Sequence, residues 1–559
     1  MTRVHSFSLV LVTLVCLFAP ITPAVARSLF VVGDSTASEY GFEQYPRMGW
    51  GQVLGDFYGE GMTVVDLAQS GRSAKSFINE GFFADLERQL GTGDILLIQF
   101  AHNDQKAHSP ERYAPAETTF KEYLRKYVSL AIQKNAKPIL LTPVVRRKFA
   151  DGNLIQTHGK YPDAIRKLAL NLDVSLIDMT RLSARFVAGL GEQESKAIYL
   201  HLNTSNGAIE DNTHFSERGA YAMAALVARE LESLQIVTPD IMPQKFIRVE
   251  QNGSGDFVKI QDAINSLDQT EGPATILIGP GDFEEQLFLQ RDNITFAGSG
   301  RDRTKISATI LRATWRETHD DDWGASTVNI KASDITFMNL TVINDYGIRY
   351  NDNSHQFALR LLEGSRIITE NSTFITGGAD TVSLWNKQDG MYYHRRAHFE
   401  GYTDFVCPRG WSYITDSTFF SHGGAAAIWH DGAADKSQKL VIRRSSFDGI
   451  NGFILARRHY DAQFYLLNNS YSANMANTPI FRVSYEDTSR NRPNLWGDRY
   501  YFFGSIKEGR QFAWLEDNMP MDLIDIDPIR TFNSKWDPET QLARIKAAIA
   551  SYEIREVTP

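Results

Sequence analysis

The first strongly apolar run of the chain, Leu29 to Val32, ends in Gly33-Asp34-Ser35. Ser35 therefore sits where a parallel sheet presents its reactive loops, at the carboxyl end of a strand. A serine hydroxyl is a weak nucleophile and needs an oriented base. Far downstream, Asp211-Asn212-Thr213-His214 supplies one. This run is expected to open a helix, and its spacing lets Asp211 hold the imidazole Nδ1–H of His214 while Nε2 faces the serine. Two more residues fall at loop positions after strands: Gly71, in Gln69-Ser70-Gly71-Arg72-Ser73, and Asn103, in Ala101-His102-Asn103-Asp104. A glycine lets its backbone N–H approach an oxyanion, and an asparagine amide can supply a second donor. Together these residues describe attack on an ester.

Such a set needs a scaffold that brings distant segments to one edge. From Ser28 to about Leu234, short apolar strands alternate with helical stretches. The strands are Leu29 to Val32, Val64 to Leu67, Ile95 to Phe100, Ile139 to Leu141 and Val174 to Ile177. Helical periodicity lies between them, as in Phe120 to Gln133 and Tyr221 to Leu234. This order implies one α/β domain with a parallel sheet covered by helices on both faces.

The four blocks, in this order, resemble the SGNH (GDSL-type) hydrolase superfamily. Gly-Asp-Ser-Thr-Ala, Ser-Gly-Arg-Ser-Ala and Asp-Asn-Thr-His-Phe-Ser are most similar to its rhamnogalacturonan acetylesterase branch. The resemblance implies a flavodoxin-like α/β sandwich over residues 27–234. It also implies an acyl-serine mechanism, with the oxyanion held by the Gly71 N–H, Asn103 and the Ser35 amide. One departure is Ala101, where the third block usually has glycine.

After a short linker placed at residues 235–246, helical patterns nearly vanish. A polar-Ser-x-aromatic element recurs in Asn371-Ser372-Thr373-Phe374, Asp416-Ser417-Thr418-Phe419, Arg444-Ser445-Ser446-Phe447 and Asn469-Ser470-Tyr471. With Phe399 included, the aromatic positions step by roughly 20 to 28 residues, the size of one turn of a parallel β-solenoid. On periodicity alone, a β-sandwich with regular strand spacing also fits. The sequence Gly253-Ser254-Gly255-Asp256-Phe257 followed by Ile260-Gln261-Asp262-Ala263-Ile264 reads as a turn and a short capping helix. With Gly378-Ala379-Asp380-Thr381, Thr403-Asp404-Phe405-Val406 and Leu455-Ala456-Arg457, it resembles the pectin methylesterase (pectinesterase) family. That resemblance implies a right-handed parallel β-helix over residues 247–559. It assigns Asp404 as nucleophile, Asp380 as general acid/base, Gln356 as oxyanion donor and Arg457 as the partner that orients Asp404. Coils of a solenoid would put the two aspartates on neighbouring turns, and two close carboxylates do not both ionise easily.

The chain departs from that family at two places. Ala379 stands where a glutamine usually donates a second oxyanion hydrogen bond, and His459 stands where an aromatic, commonly Trp, follows the arginine. Losing one such donor can cost a factor of about 10² in rate. Either another donor replaces it, with Arg458 and His459 as candidates, or the substrate differs, or the domain has become a binding surface. Other chemistry on this fold is less well supported. A polygalacturonase would need clustered aspartates with a Gly-His-Gly loop, and only His422-Gly423-Gly424 occurs.

The composition of the 559 residues, 43% hydrophobic and 22% charged, is that of a globular chain and excludes a disordered or coiled-coil protein. A net charge of -9 argues against nucleic acid as a partner. Two cysteines, Cys16 and Cys407, exclude a disulfide framework. Residues 1–26 read as a cleaved secretory signal, with a basic start, an apolar run and Ala24-Val25-Ala26 at the cleavage point. The product is then expected to be secreted or periplasmic, with no membrane association once the signal is cleaved. The whole reads as an exported pectin esterase that removes acetyl groups at one site and methyl groups at the other, without cofactor or metal. Its partner would be a pectic polysaccharide. Two rivals stand beside it: an acetylesterase whose β-helix only binds polysaccharide, and a non-enzymatic glycan-binding surface protein.

Overall fold

A computed structural model of the chain describes residues 27–204, 207–267, 270–433 and 435–558. The expected signal segment, with Cys16, lies outside the described residues. The chain divides into two compact units between Pro239 and Asp240. Among the described residues, no helix is long and apolar enough to cross a membrane.

The first unit is built on five parallel strands: β1 (Ser28–Gly33), β2 (Thr63–Asp66), β3 (Ile95–Gln99), β4 (Lys137–Leu141) and β5 (Ser175–Ile177). Their order in the sheet is β2-β1-β3-β4-β5. Every residue of β3 is buried, as a sheet covered on both faces requires. The helix Thr119–Gln133 seats Phe120, Leu124, Tyr127 and Val128 in a core that includes Phe30, Val32, Leu96 and Ile98. These five strands and this helix lie where the apolar pattern put them.

One local expectation is corrected. Asp211 to His214 do not open a helix; they end the strand Gly207–Phe215, paired antiparallel with Tyr199–Thr204. The ladder pairs Leu200 with Asp211 and Tyr199 with Phe215, so Asn212, Thr213 and His214 bulge out between two successive pairs. Such a bulge re-aims side chains. The helix proper starts at Glu217, capped by Ser216, whose side chain accepts from the Gly219 N–H.

The second unit is a parallel β-solenoid. Among the described residues its strands fall into three sheets of ten, nine and eight, each strand pairing in parallel with its counterpart on the next coil. That pattern excludes the β-sandwich. The first strand, Lys245–Val249, begins inside the stretch expected to be linker. Phe374, Phe399, Phe419, Phe447 and Tyr471 are register partners on successive coils. Their rings stack at 5.9, 5.1, 4.2 and 5.3 Å.

The rest of the recurring element also has a physical cause. Its polar residue turns the corner between two sheets in the left-handed conformation, as at Asn371 (φ 45°), Asp416 (φ 54°) and Arg444 (φ 48°). Asn and Asp tolerate that conformation better than most side chains. The serine then bonds coil to coil. Ala397 N donates to Ser417 Oγ at 3.1 Å, Ser417 N to Ser445 Oγ at 3.1 Å, and Ser445 N to Asn469 Oδ1 at 2.9 Å.

Ile260–Asn265 packs Ile260, Ala263 and Ile264 into the first coil. The C-terminal helix Pro538–Val557 lies along the flank of the ten-stranded sheet. There its Glu539 accepts from Tyr393 Oη at 2.9 Å, and Tyr552 stacks on Phe246 at 4.2 Å. Its buried Lys546 meets Glu370 at 3.0 Å. Arg395 and Arg396 flank the same carboxylate, and the three cations outweigh burial and hold it well below its ordinary range.

Candidate active sites

Ser35 directly follows β1 and is nearly enclosed, at 7% exposure. Its Oγ lies 2.9 Å from His214 Nε2, and His214 Nδ1 lies 2.6 Å from Asp211 Oδ2. The other Asp211 oxygen accepts from the backbone N–H groups of Thr213 at 2.7 Å and His214 at 3.0 Å. Burial raises the Asp211 carboxyl, but the His214 ring and these two amides outweigh it and hold the group far below the usual carboxylate range. An acceptor fixed in this way keeps the imidazole turned with Nε2 toward the serine. The arrangement can move a proton off Ser35 Oγ.

The two residues expected to serve as oxyanion donors lie on separate loops. Gly71 has φ 80°, in the left-handed region that glycine enters freely. Asn103 follows β3, and its Nδ2 donates to Arg72 O at 2.9 Å while its Oδ1 accepts from Lys106 Nζ at 2.8 Å. A cation on the amide oxygen polarises the amide and strengthens its remaining N–H as a donor. Ala101 adopts φ 145°, a conformation suited to glycine.

Sequence reasoning missed the groups behind this site. Asp34 is fully buried; one of its oxygens accepts from Thr36 N at 3.0 Å and Thr36 Oγ1 at 2.8 Å, and the other faces His102 Nδ1 at 3.0 Å. Burial pushes the Asp34 carboxyl up, yet His102 and Thr36 bring it below its ordinary value. Both residues stand inside the blocks that carry Ser35 and Asn103, which was the available signal. Also missed were three cations, each one bond from the site. Arg47 donates to Tyr40 Oη at 3.0 Å, and Tyr40 Oη donates to Ser35 O at 2.7 Å. Lys106 holds Asn103, and Arg146 donates to His102 O at 3.4 Å. Among the described residues, none of the three has a carboxylate within salt-bridge distance, and the buried Asp34 acts on Lys106 and Arg146 from farther off.

In the solenoid, Val382 pairs with Val406 and Ser383 with Cys407. Asp380 and Asp404 therefore hold equivalent corners of successive coils, both left-handed at φ 65° and 48°. Asp404 is 2% exposed and clasped by Arg457, whose Nε donates to Oδ1 at 2.9 Å. Burial raises the Asp404 carboxyl; Arg457 opposes the rise, and the nearby Asp380 adds to it. Cys407 Sγ lies 3.6 Å from Asp380 Oδ1 and 3.0 Å from Asp404 O, and burial pushes this thiol well up. Two carboxylates and one guanidinium in an enclosed corner can divide the roles of nucleophile and proton carrier.

Three expectations about the surrounding donors change. Gln356 has no exposed surface; its Oε1 accepts from Gly347 N at 2.7 Å and its Nε2 donates to Asp352 O at 2.6 Å. It pins a loop through its amide oxygen and one of its two amide N–H groups. Arg458 is also fully enclosed, bonded to Tyr500 Oη at 2.7 Å and Asp498 Oδ1 at 2.5 Å, and is spent as a donor. His459 sits between Trp429 and Tyr485, with ring centroids 4.6 and 5.6 Å away, and Tyr485 Oη is 2.9 Å from its Nε2. Arg457 lies over the same Trp429 ring at 5.1 Å, so His459 buttresses the wall behind the guanidinium.

Residues 31–221 match the family described as GDSL-like Lipase/Acylhydrolase, and residues 246–439 match Pectinesterase. Rhamnogalacturonan acetylesterase RhgT of Bacillus subtilis (strain 168) is 40% identical over 219 residues, which are 38% of this chain and 92% of that one. Pectinesterase A of Dickeya chrysanthemi is 26% identical over 185 residues, 31% of this chain and 48% of that one. The match thus spans about half the length of that relative. The solved pectin methylesterase PemA from Erwinia chrysanthemi is 18% identical, covering 53% of this chain and 98% of that chain at a TM-score of 0.44.

Proposed function

From a chain that belongs to the GDSL-like acylhydrolase family through its first unit and carries a pectinesterase domain in its second, we propose a bifunctional pectin esterase. It removes acetyl groups at Ser35 and methyl groups at Asp404. The observation that carries the reading is the continuous Asp211–His214–Ser35 chain, with links of 2.6 and 2.9 Å.

At the first site, Ser35 Oγ attacks the acetyl carbonyl as His214 Nε2 takes its proton and Asp211 steadies the imidazolium. The oxyanion rests on the Ser35 and Gly71 N–H groups and the free Asn103 N–H. His214 returns the proton to the departing sugar hydroxyl, then activates the water that frees acetate. The unpaired cations Arg47, Lys106 and Arg146 favour an anionic polymer over a neutral one. That suits a galacturonan whose carboxylates flank the acetyl group.

At the second site, the Asp404 carboxylate attacks the methyl ester carbonyl and Asp380 protonates the departing methanol. Asp380 then deprotonates the water that opens the acyl-aspartate. Arg457 orients Asp404 throughout. A signal cleaved after Ala26 would export the product to the periplasm or the medium, where this polymer is met.

The alternative is an acetylesterase whose solenoid only binds polysaccharide, and Ala379 is the observation that favours it. Measuring acetate and methanol separately from acetylated, methylated pectin divides the two readings. The proposal expects both products; acetate alone would establish the binding platform.

A further inference from the structure

The demethylating site lacks one of the two amide donors that its family resemblance implies, and the other is fully enclosed. Residue 379 is alanine, and Gln356 has no exposed surface, with its Oε1 taken by Gly347 N and one of its two Nε2 hydrogens given to Asp352 O. A tetrahedral oxyanion formed at Asp404 still needs a donor, because its charge develops in a site from which water is largely excluded.

The neighbouring coil supplies one. His355 forms a parallel bridge with Ala379: Gln356 N donates to Ala379 O at 3.0 Å and Ala379 N to Ser354 O at 3.1 Å. Bridged partners project side by side, and successive residues of an extended segment project to opposite sides. The register that turns Gln356 inward therefore turns His355 outward, into the space a longer side chain at 379 would fill. Its imidazole Nε2 lies 3.8 Å from Asp380 Oδ2, and the side chain is 59% exposed. Among the described residues this ring has no hydrogen-bond partner. Of the other cations nearby, Arg457 is bonded to Asp404, Arg458 to Tyr500 and Asp498, and His459 to Tyr485, while Arg409 is buried against the Trp385 and Trp429 rings.

We propose that His355 is a catalytic residue of the second site, its Nε2–H holding the oxyanion in place of the glutamine missing at 379. The inference rests on the demethylating role of Asp380 and Asp404 proposed above. In the first step a bond forms from an Asp404 oxygen to the ester carbon, and the carbonyl π pair moves onto the oxygen that His355 holds. Collapse of that intermediate breaks the C–OCH3 bond, and the methoxy oxygen takes the Asp380 proton to leave as methanol. Water, losing a proton to Asp380, attacks the acyl-aspartate through a second oxyanion held the same way. Asp404 is then released as carboxylate beside the new uronic acid. His355 keeps its own proton throughout.

The test is methanol and acetate release by the full chain carrying His355→Ala, His355→Gln, or His355→Ala with Ala379→Gln. His355→Ala is expected to lower the kcat for methanol by about 100-fold, with little change in KM and none in acetate release. His355→Gln, which keeps an N–H donor, should retain most of the activity. Adding Ala379→Gln to His355→Ala should restore about tenfold or more, since it rebuilds a donor from the other coil. Methanol release at the wild-type rate in His355→Ala would overturn the inference. So would a loss that neither glutamine recovers, because that describes a structural residue. Asp404→Asn separates this from the reading beneath it. If it abolishes methanol release while His355→Ala does not, the aspartate mechanism stands and His355 falls. A wild-type chain that releases no methanol overturns both.

Discussion

Ala101 is a residue at which the acetyl-removing site carries strain. Its φ of 145° is a glycine conformation, held two positions before Asn103. Non-glycine residues forced into such regions cost of order 1–3 kcal/mol, while a glycine gives back about 0.5–1 kcal/mol through its freer unfolded chain. Ala101→Gly should therefore raise the midpoint of the first unit's unfolding transition slightly and leave acetate release intact. A lowered midpoint would mean that the methyl group is packed, not strained. Asp211 gives a pH test at the same scale. Its folded-state value lies below the roughly 3.9 of an unfolded aspartate. Its contribution to stability is thus fully present above that pH and is lost as pH falls through the folded value. The difference in melting temperature between wild type and Asp211→Asn should be constant from about pH 6 to 8 and shrink below about pH 4. A gap that widens in acid would contradict the assignment. The connected Ser35, Asp211 and His214 were legible because each stands in a short block of distinctive residues. Gln356 was legible as a position, but its contacts with the loop at Gly347 and Asp352 were not. Whether it faces in or out depends on a pairing register that Ser354-His355-Gln356-Phe357 does not encode through any apolar alternation.

At the scale of elements, one interaction recurs along the solenoid. Each coil sets one aromatic on the next, and Phe419 touches two partners, at 5.1 and 4.2 Å. Removing it should cost about 3–5 kcal/mol, the usual range for a buried phenylalanine. In denaturant, Phe419→Ala is expected to lose methanol release at a lower midpoint while the midpoint for acetate release stays put. Equal shifts of both midpoints would contradict separate folding units. This ladder was readable because a solenoid repeats one structural position at a nearly constant interval, so five aromatics announce a single site. The hairpin carrying Asp211 and His214 was not readable. Its strand runs through the polar stretch Glu210 to His214, and the bulge at Asn212 is fixed by tertiary partners: Arg147 Nη1 at 3.0 Å and His201 Nε2 at 2.9 Å, both on the Asn212 amide oxygen. The capped helix from Glu217 immediately after it drew the helical signal forward.

At the scale of the whole chain, two units with their own cores match two families of ester hydrolase. The two proposed reactions act on different esters of one polymer and release different small products, so each site would report independently of the other. The measurement that tests this account most directly is acetate and methanol release from acetylated, methylated pectin by wild type, Ser35→Ala and Asp404→Asn. The account predicts that wild type releases both, that Ser35→Ala loses acetate and keeps methanol, and that Asp404→Asn loses methanol and keeps acetate. Acetate release near the wild-type rate in Ser35→Ala, or a wild-type chain that yields no methanol at all, would contradict it.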